Sequence, residues 1–222
     1  GAAKYRGFND PRGSGHFSGR LTLPLVAAGC VAKKVLEGVR FETRLAEAGG
    51  SEDVAAAVAE AGAAGDSVGG LVEIRVDGLP VGLGEPFFDS VEGLVARAIF
   101  AVPGVRGVEF GDGFRAARMR GSEHNDRFVG AYGLTATNHA GGVNGGITNG
   151  AQLVVRAAVK PTSTIAAPQS TLDFSTGEMT ELSAGGRHDA CIALRAAVAL
   201  EAACAIALAD LALVSRSQEE KK

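Results

Sequence analysis

Apolar residues recur along the chain at two periods, and the switches between them divide it into elements. Leu25, Ala28, Ala32 and Val35 have the spacing of one helix face, with Thr22 as candidate cap, Pro24 in the first turn, Lys33 and Lys34 near the end and Gly38 as the stop. A second helix is expected after Ser51, with Glu52 and Asp53 in its first turn and its end by Gly65. From Gly69 the period becomes two: Leu71, Glu73 and Arg75 alternate with Val72, Ile74 and Val76, which predicts a half-buried strand that Gly82-Leu83-Gly84-Glu85-Pro86 breaks. Asp89 is placed to cap a helix to about Ala101, and Pro103-Gly104 turns the chain into a strand from Val105 to Phe110. Residues 115–120 read as that strand's partner, paired around Gly111-Asp112-Gly113. A glycine-rich loop, 138–150, leads to a strong strand from Leu153 to Val159, and residues 171–174 and 179–182 flank Ser175-Thr176-Gly177-Glu178 as a hairpin. A long apolar helix over residues 190–214 and a polar tail follow. Helices interleaved with hairpin-linked strands predict a mixed fold with largely antiparallel sheets, in one domain spanning 1–222.

Composition narrows the function. With 222 residues, 46% of them apolar, the chain can fill a substantial core. The segment 190–214 is apolar enough to suggest a membrane span, but Arg195, Glu201 and Asp210 are expensive in hydrocarbon, so a buried amphipathic helix is expected. A formal net charge of −3 offers no basic field for nucleic acid or an anionic membrane, so neither is expected as a partner and any anion site must be local. Three cysteines, Cys30, Cys191 and Cys204, with no basic-then-apolar leader, read as reduced thiols of a cytoplasmic protein, packed as small core residues. The 32 glycines fall in short motifs, where backbone approaches a ligand or other backbone.

The candidate chemistry gathers in a few of those motifs. Gly185-Gly186-Arg187-His188-Asp189 puts a fixed cation, an imidazole and a carboxylate side by side before the last helix. Asp189 is expected to cap that helix while Arg187 and the free helix N–H groups face the same space, forming an anion pocket beside a proton-transfer group. Lys160-Pro161-Thr162-Ser163-Thr164 supplies one ammonium and three hydroxyls at a strand end, a good phosphate-binding set or an ordinary loop. Gly13-Ser14-Gly15-His16-Phe17-Ser18-Gly19 lacks the preceding strand and the glycine spacing of a dinucleotide fingerprint, and reads as another kind of ligand loop or a simple turn. Asn138-His139-Ala140-Gly141-Gly142-Val143-Asn144-Gly145-Gly146 lets backbone approach something flat or bulky, or is a surface loop. His124, among Glu123, Asn125, Asp126 and Arg127, reads as part of a solvated face. No metal-ligand spacing and no nucleophile elbow occur in the sequence.

Eight motifs in order resemble the chorismate synthase family: residues 12–20, Ala27-Ala28-Gly29 with Ala32-Lys33-Lys34, 65–70, 82–86, 111–114, 138–142, 160–164 and 185–189. The resemblance runs from about Lys4 to Val214. It implies an α+β fold, a sandwich of helices between antiparallel β-sheets, assembled as a homotetramer. It also implies a lyase that removes phosphate and a ring hydrogen from 5-enolpyruvylshikimate 3-phosphate to give chorismate, with reduced FMN as cofactor. Carried over by motif, the cofactor-binding positions are His16, Phe17, Ser18, Pro103, Gly104, Gly145, Lys160, Pro161, Thr162, Ser163, Thr164 and Arg187, and Asp189 is the catalytic residue beside the flavin. A flavin phosphate and a substrate with one phosphate and two carboxylates form a concentrated polyanion, so Arg20, Lys160 and Arg187 are expected to converge on one cleft. The family's two histidine motifs, Gly-Glu-Ser-His-Gly and Arg-Pro-x-His-Ala-Asp, do not occur in these 222 residues, and the stretches around 49–51 and 129–131 are short for the family. The alternative reading is a truncated, non-catalytic flavin-binding or structural piece of the same fold.

Overall fold

The computed structural model describes residues 1–10, 15–186 and 188–219. In chain order its elements are α1 (Thr22–Val35), β1 (Arg40–Ala48), α2 (Val54–Ala63), β2 (Gly70–Asp77), α3 (Val91–Phe100), β3 (Val105–Phe110) and α4 (Gly121–His124). They continue with β4 (Val143–Asn144), β5 (Ile147–Thr148), β6 (Leu153–Val159), β7 (Gln169–Asp173), β8 (Glu178–Leu182) and α5 (Ala193–Glu219). The largest sheet is antiparallel with strand order β1-β2-β6-β3, and β4-β5 and β7-β8 are separate hairpins. This is the mixed α+β, antiparallel architecture expected.

The two faces of the large sheet have opposite chemistry. Register sets Val72, Ile74 and Val76 of β2 beside Ala157, Val155 and Leu153 of β6, all buried beneath α5 with α3 alongside. On the other face Arg44, Glu73, Arg156 and Glu109 stand opposite one another across all four strands. Glu73 is 3% exposed, yet its carboxylate is bonded at 2.9 Å by each of Arg44, Arg75 and Arg156. Burial alone would raise its pKa, but the hydrogen bonds from Arg156 and Arg44 and the charges of Arg75 and Arg44 outweigh it and hold the carboxyl below its ordinary value.

Helix α5 is long and apolar enough to cross a membrane by length and composition, and most of it is buried in the core. Leu200, Ala203, Cys204 and Leu208 are fully buried; a helix apolar nearly all round belongs in such a position. Its charge at Glu201 is met by an ion pair with Lys33 of α1. The two helices approach closely at Gly29, where a Cβ would collide with Ala202. Burial and the nearby Glu201 charge push the Cys204 thiol up to about 12, so it stays protonated and inert. Cys191 is also buried, whereas Cys30 is exposed on α1 rather than packed in the core.

Several expectations fail locally for identifiable reasons. Strand β1 was not anticipated, although Phe41, Thr43 and Leu45 alternate with Arg40, Glu42 and Arg44. Residues 115–120 form no strand: a 3-10 turn, Gly113–Arg118, is held by Arg115 on Asp112 at 2.8 Å and by the Glu109 carboxylate accepting the Phe114 N–H. Thr22 begins α1 after Leu21 and donates its hydroxyl to Gly19 O at 2.7 Å, so it is not the cap. Ser90, not Asp89, caps α3, accepting the Gly93 N–H at 3.0 Å, while Asp53 caps α2 through the Ala56 N–H.

Candidate active site

Four loops meet at the start of α5. Residues 18–22 enter α1, residues 102–104 follow α3, residue 160 follows β6, and residue 189 precedes α5. Together they line a cleft of about 540 Å³. Val102, Ile192, Ala196 and Ala199 give it an apolar floor; Ser18, Arg20, Lys160, Asp189 and Arg195 supply its polar rim. Three cations face one carboxylate there, so the cleft carries the local positive charge that the chain as a whole lacks. An apolar floor under such a rim accepts a flat ring bearing anionic groups.

Each rim residue is placed by its own loop. The Ser18 hydroxyl accepts the Arg20 N–H at 3.2 Å, which leaves its proton for a ligand. The Lys160 N–H donates to Gly104 O at 2.9 Å, tying the two loops together, and the Lys160 ammonium donates to Ser163 Oγ at 2.6 Å. Asp189 does not cap α5, which starts at Ala193; its Oδ1 instead pairs with the Arg195 guanidinium at 2.9 Å. Thr162, which does not line the cleft, donates its hydroxyl to Asp189 O at 2.7 Å.

The cleft therefore gathers Ser18, Pro103, Gly104, Lys160 and Asp189 from the expected set, with Arg20. Pro161, Thr162, Ser163 and Thr164 continue from Lys160 but do not line the cleft, and the rings of His16 and Phe17 lie 6.3 and 6.4 Å from that of Tyr5. Arg187 lies outside the described residues. His188 turns from the cleft to a separate small cavity beside Asp66, its Nε2 2.9 Å from Gly185 O. Gly145 is elsewhere: it forms the β4-β5 turn, and its neighbour Gly146 accepts the Val91 N–H where α3 begins. The cleft lies past the other end of α3, about 15 Å away along a helix of 10 residues. Arg195 was not anticipated; the available signal was a cation in the first turn of the helix, six positions after Asp189.

Side-chain hydrogen bonds tie down the loop 138–142. Asp126 accepts the N–H groups of His139 and Ala140 and the Thr137 hydroxyl, and Asp112 lies 2.6 Å from His139 Nδ1. Burial would raise both carboxyls, but these bonds and Arg115 beside Asp112 hold both below the usual range. His124 is half-buried, its ring 5.7 Å from that of His139, while Glu123, Asn125 and Arg127 beside it are exposed.

Fold and cleft define an α+β protein with an open cleft in which three cations face one carboxylate. A sequence profile described as chorismate synthase matches residues 1–213, and the chain belongs to the chorismate synthase family. It is 58% identical over 214 residues to a chorismate synthase of Chitinophaga pinensis, covering 96% of this chain and 64% of that protein. A chorismate synthase of Korarchaeum cryptofilum is 43% identical over 238 residues, covering 93% of this chain and 66% of that protein. A crystal structure of chorismate synthase superposes with a TM-score of 0.73 at 27% identity, over 89% of this chain and 64% of the other. The chain thus spans just under two thirds of the length of these relatives.

Proposed function

We propose that this chain carries the flavin-binding and proton-handling part of a chorismate synthase, the lyase that eliminates phosphate and a ring hydrogen from 5-enolpyruvylshikimate 3-phosphate to give chorismate. The observation that carries the reading is the cleft in which Asp189 stands among Arg20, Lys160 and Arg195 over an apolar floor. Those donors fit reduced FMN: Lys160 and Ser18 suit its phosphate, and Val102, Ile192 and Ala196 suit its ring. His16, Phe17, Pro103, Gly104, residues 161–164 and Arg187 complete the proposed flavin-contacting set, Thr162 through its backbone alone because its hydroxyl is committed to Asp189 O. When bound, reduced FMN supplies the electron density that helps the phosphate leave.

The chain's own residues bind, screen and move a proton. Arg20, Lys160 and Arg195 neutralise the phosphate and carboxylates of the substrate, and their charge favours departure of phosphate with its bonding electron pair. The apolar floor keeps water from the reacting centre, which strengthens those interactions. Asp189 is the proton acceptor, its second oxygen left open to the cleft by the single bond to Arg195.

Gly145 lies about 15 Å along α3 from the cleft of its own chain, and a contact between it and the flavin of a neighbouring copy fits the proposed homotetramer. Exposed Leu23, Val31 and Val198 on α1 and α5 are apolar surface that such an assembly covers. The setting is the cytoplasm, with a small-molecule substrate and neither nucleic acid nor membrane as partner. Anaerobic assay of the intact gene product tests the reading: phosphate release and chorismate absorbance are expected together, and only with reduced FMN. Release that does not depend on reduced FMN, or none from FMN-loaded protein, overturns it.

A further inference from the structure

Between β8 and α5 the described residues 183–186 and 188–192 have no regular structure, and Asp189 lies three positions after Gly186, whose φ is +105°. Such a segment holds a side chain in place only if its backbone is anchored from outside. Two consecutive carbonyls provide the anchors. Asp189 O accepts the Thr162 hydroxyl at 2.7 Å, and Ala190 O accepts the Val68 N–H at 2.8 Å. Ser67, one residue before Val68, donates its hydroxyl to Thr162 O at 2.7 Å and so links the two anchors. Both hydroxyl-bearing residues are half-buried, where solvent competes weakly for these bonds.

We infer that Thr162 and Ser67 are positioning residues for Asp189: their hydroxyl relay fixes the backbone behind the carboxylate, while Arg195 fixes the carboxylate itself. The inference rests on the proposed role of Asp189. It gives Thr162 a task other than donating to the flavin, because its one hydroxyl proton is already committed. Ser67 does not line the cleft. Loss of the relay lets the carboxylate drift, and misplacement on the order of 1 Å costs about a hundredfold in rate.

The test uses the intact gene product with Thr162→Val, Thr162→Ser, Ser67→Ala and Asp189→Asn, each measured for FMN Kd by fluorescence quenching, for turnover at saturating FMN, and for amide hydrogen exchange over 186–191. Thr162→Val keeps the shape of the side chain and removes only the hydroxyl. Expected are an FMN Kd within about twofold of wild type, turnover lowered about tenfold to a hundredfold, faster exchange over 186–191, and recovery of most turnover in Thr162→Ser. Combined with Asp189→Asn, Thr162→Val is expected to lower turnover no further, since both act through one carboxylate. If Thr162→Val does not fold, Ser67→Ala breaks the relay one step back and is expected to show the same separation of Kd from turnover, at smaller size. A weakened FMN Kd with turnover intact, or no recovery in Thr162→Ser, overturns the inference. Full turnover in Asp189→Asn overturns the reading beneath it, a result distinct from either of those.

Discussion

Two clusters of arginine and carboxylate sit in this molecule, and they differ in what is left unmatched. On the outer face of the sheet, Glu73 is enclosed by Arg44, Arg75 and Arg156, and Arg156 also reaches Glu109 at 3.1 Å. Both oxygens of Glu73 are bonded, and with Glu109 and with Glu42, which stands opposite Arg75 in the strand register, three arginines meet three carboxylates. In the cleft, Asp189 has one bond from Arg195, the two side chains are 33% and 71% exposed, and Arg20 and Lys160 face the same space without a carboxylate partner of their own among the hydrogen bonds and ion pairs of the described residues. The same residue types make a cross-strand brace when their charges are matched and a binding site when cations are in excess.

Substitutions in the two clusters should therefore move different observables. The largest effect is expected in the cleft: Asp189→Asn in the intact gene product lowers turnover by about a hundredfold or more, because the amide accepts hydrogen bonds but does not titrate near neutral pH. Its unfolding free energy changes by less than about 1 kcal/mol, since the pair with Arg195 is solvent-exposed. Unchanged turnover would leave Asp189 as no more than an ion-pair partner.

Next in size is Glu73→Gln. Removing one member of a buried ion cluster costs about 3–5 kcal/mol, and the partial exposure of the three arginines reduces this to about 2–3 kcal/mol. Denaturant unfolding measures it, and a loss below about 0.5 kcal/mol would show that the brace contributes little.

Lys160→Ala is expected to weaken FMN binding about tenfold, the loss of one charge-assisted hydrogen bond, with little change in stability. Identical titration curves for the two proteins would remove Lys160 from the phosphate site.

The smallest effect is the response to acid. Because the Glu73 pKa is lowered in the fold from 4.5, its contribution to stability is present above that value and is lost as pH falls through the lower folded value. The slope is at most about 1.4 kcal/mol per pH unit for this one group. Wild-type stability should therefore fall more steeply below pH 4.5 than that of Glu73→Gln, and parallel curves would contradict the assignment.

The parts of this arrangement that were legible in the sequence are those governed by local pattern. Strands β2, β3 and β6 and helices α2 and α3 follow from alternation or helical spacing with a turn at each end. The burial of Glu73 was not legible, because its three guanidinium partners include Arg44 and Arg156, which reach it only through strand pairing. Strand β1 had an alternating pattern, but its charged residues and only two larger apolar ones, Phe41 and Leu45, gave it a weak signal. At the cleft, motifs located Lys160 and Asp189, whereas Arg195 as partner of Asp189 and Thr162 as its anchor depend on where α5 begins. The sequence suggested Asp189 as a cap; three further residues before the first helical turn free its carboxylate to face the cleft.

The central claim, that the open cleft and not the matched cluster takes the polyanion, is tested most directly by the increase in unfolding free energy that FMN produces in wild type, Glu73→Gln and Lys160→Ala. At a hundred times the wild-type Kd, FMN should stabilise wild type by about 2.7 kcal/mol. The same increment is expected in Glu73→Gln on its lower baseline, and an increment about 1.3 kcal/mol smaller in Lys160→Ala. An increment lost in Glu73→Gln and retained in Lys160→Ala would contradict the claim.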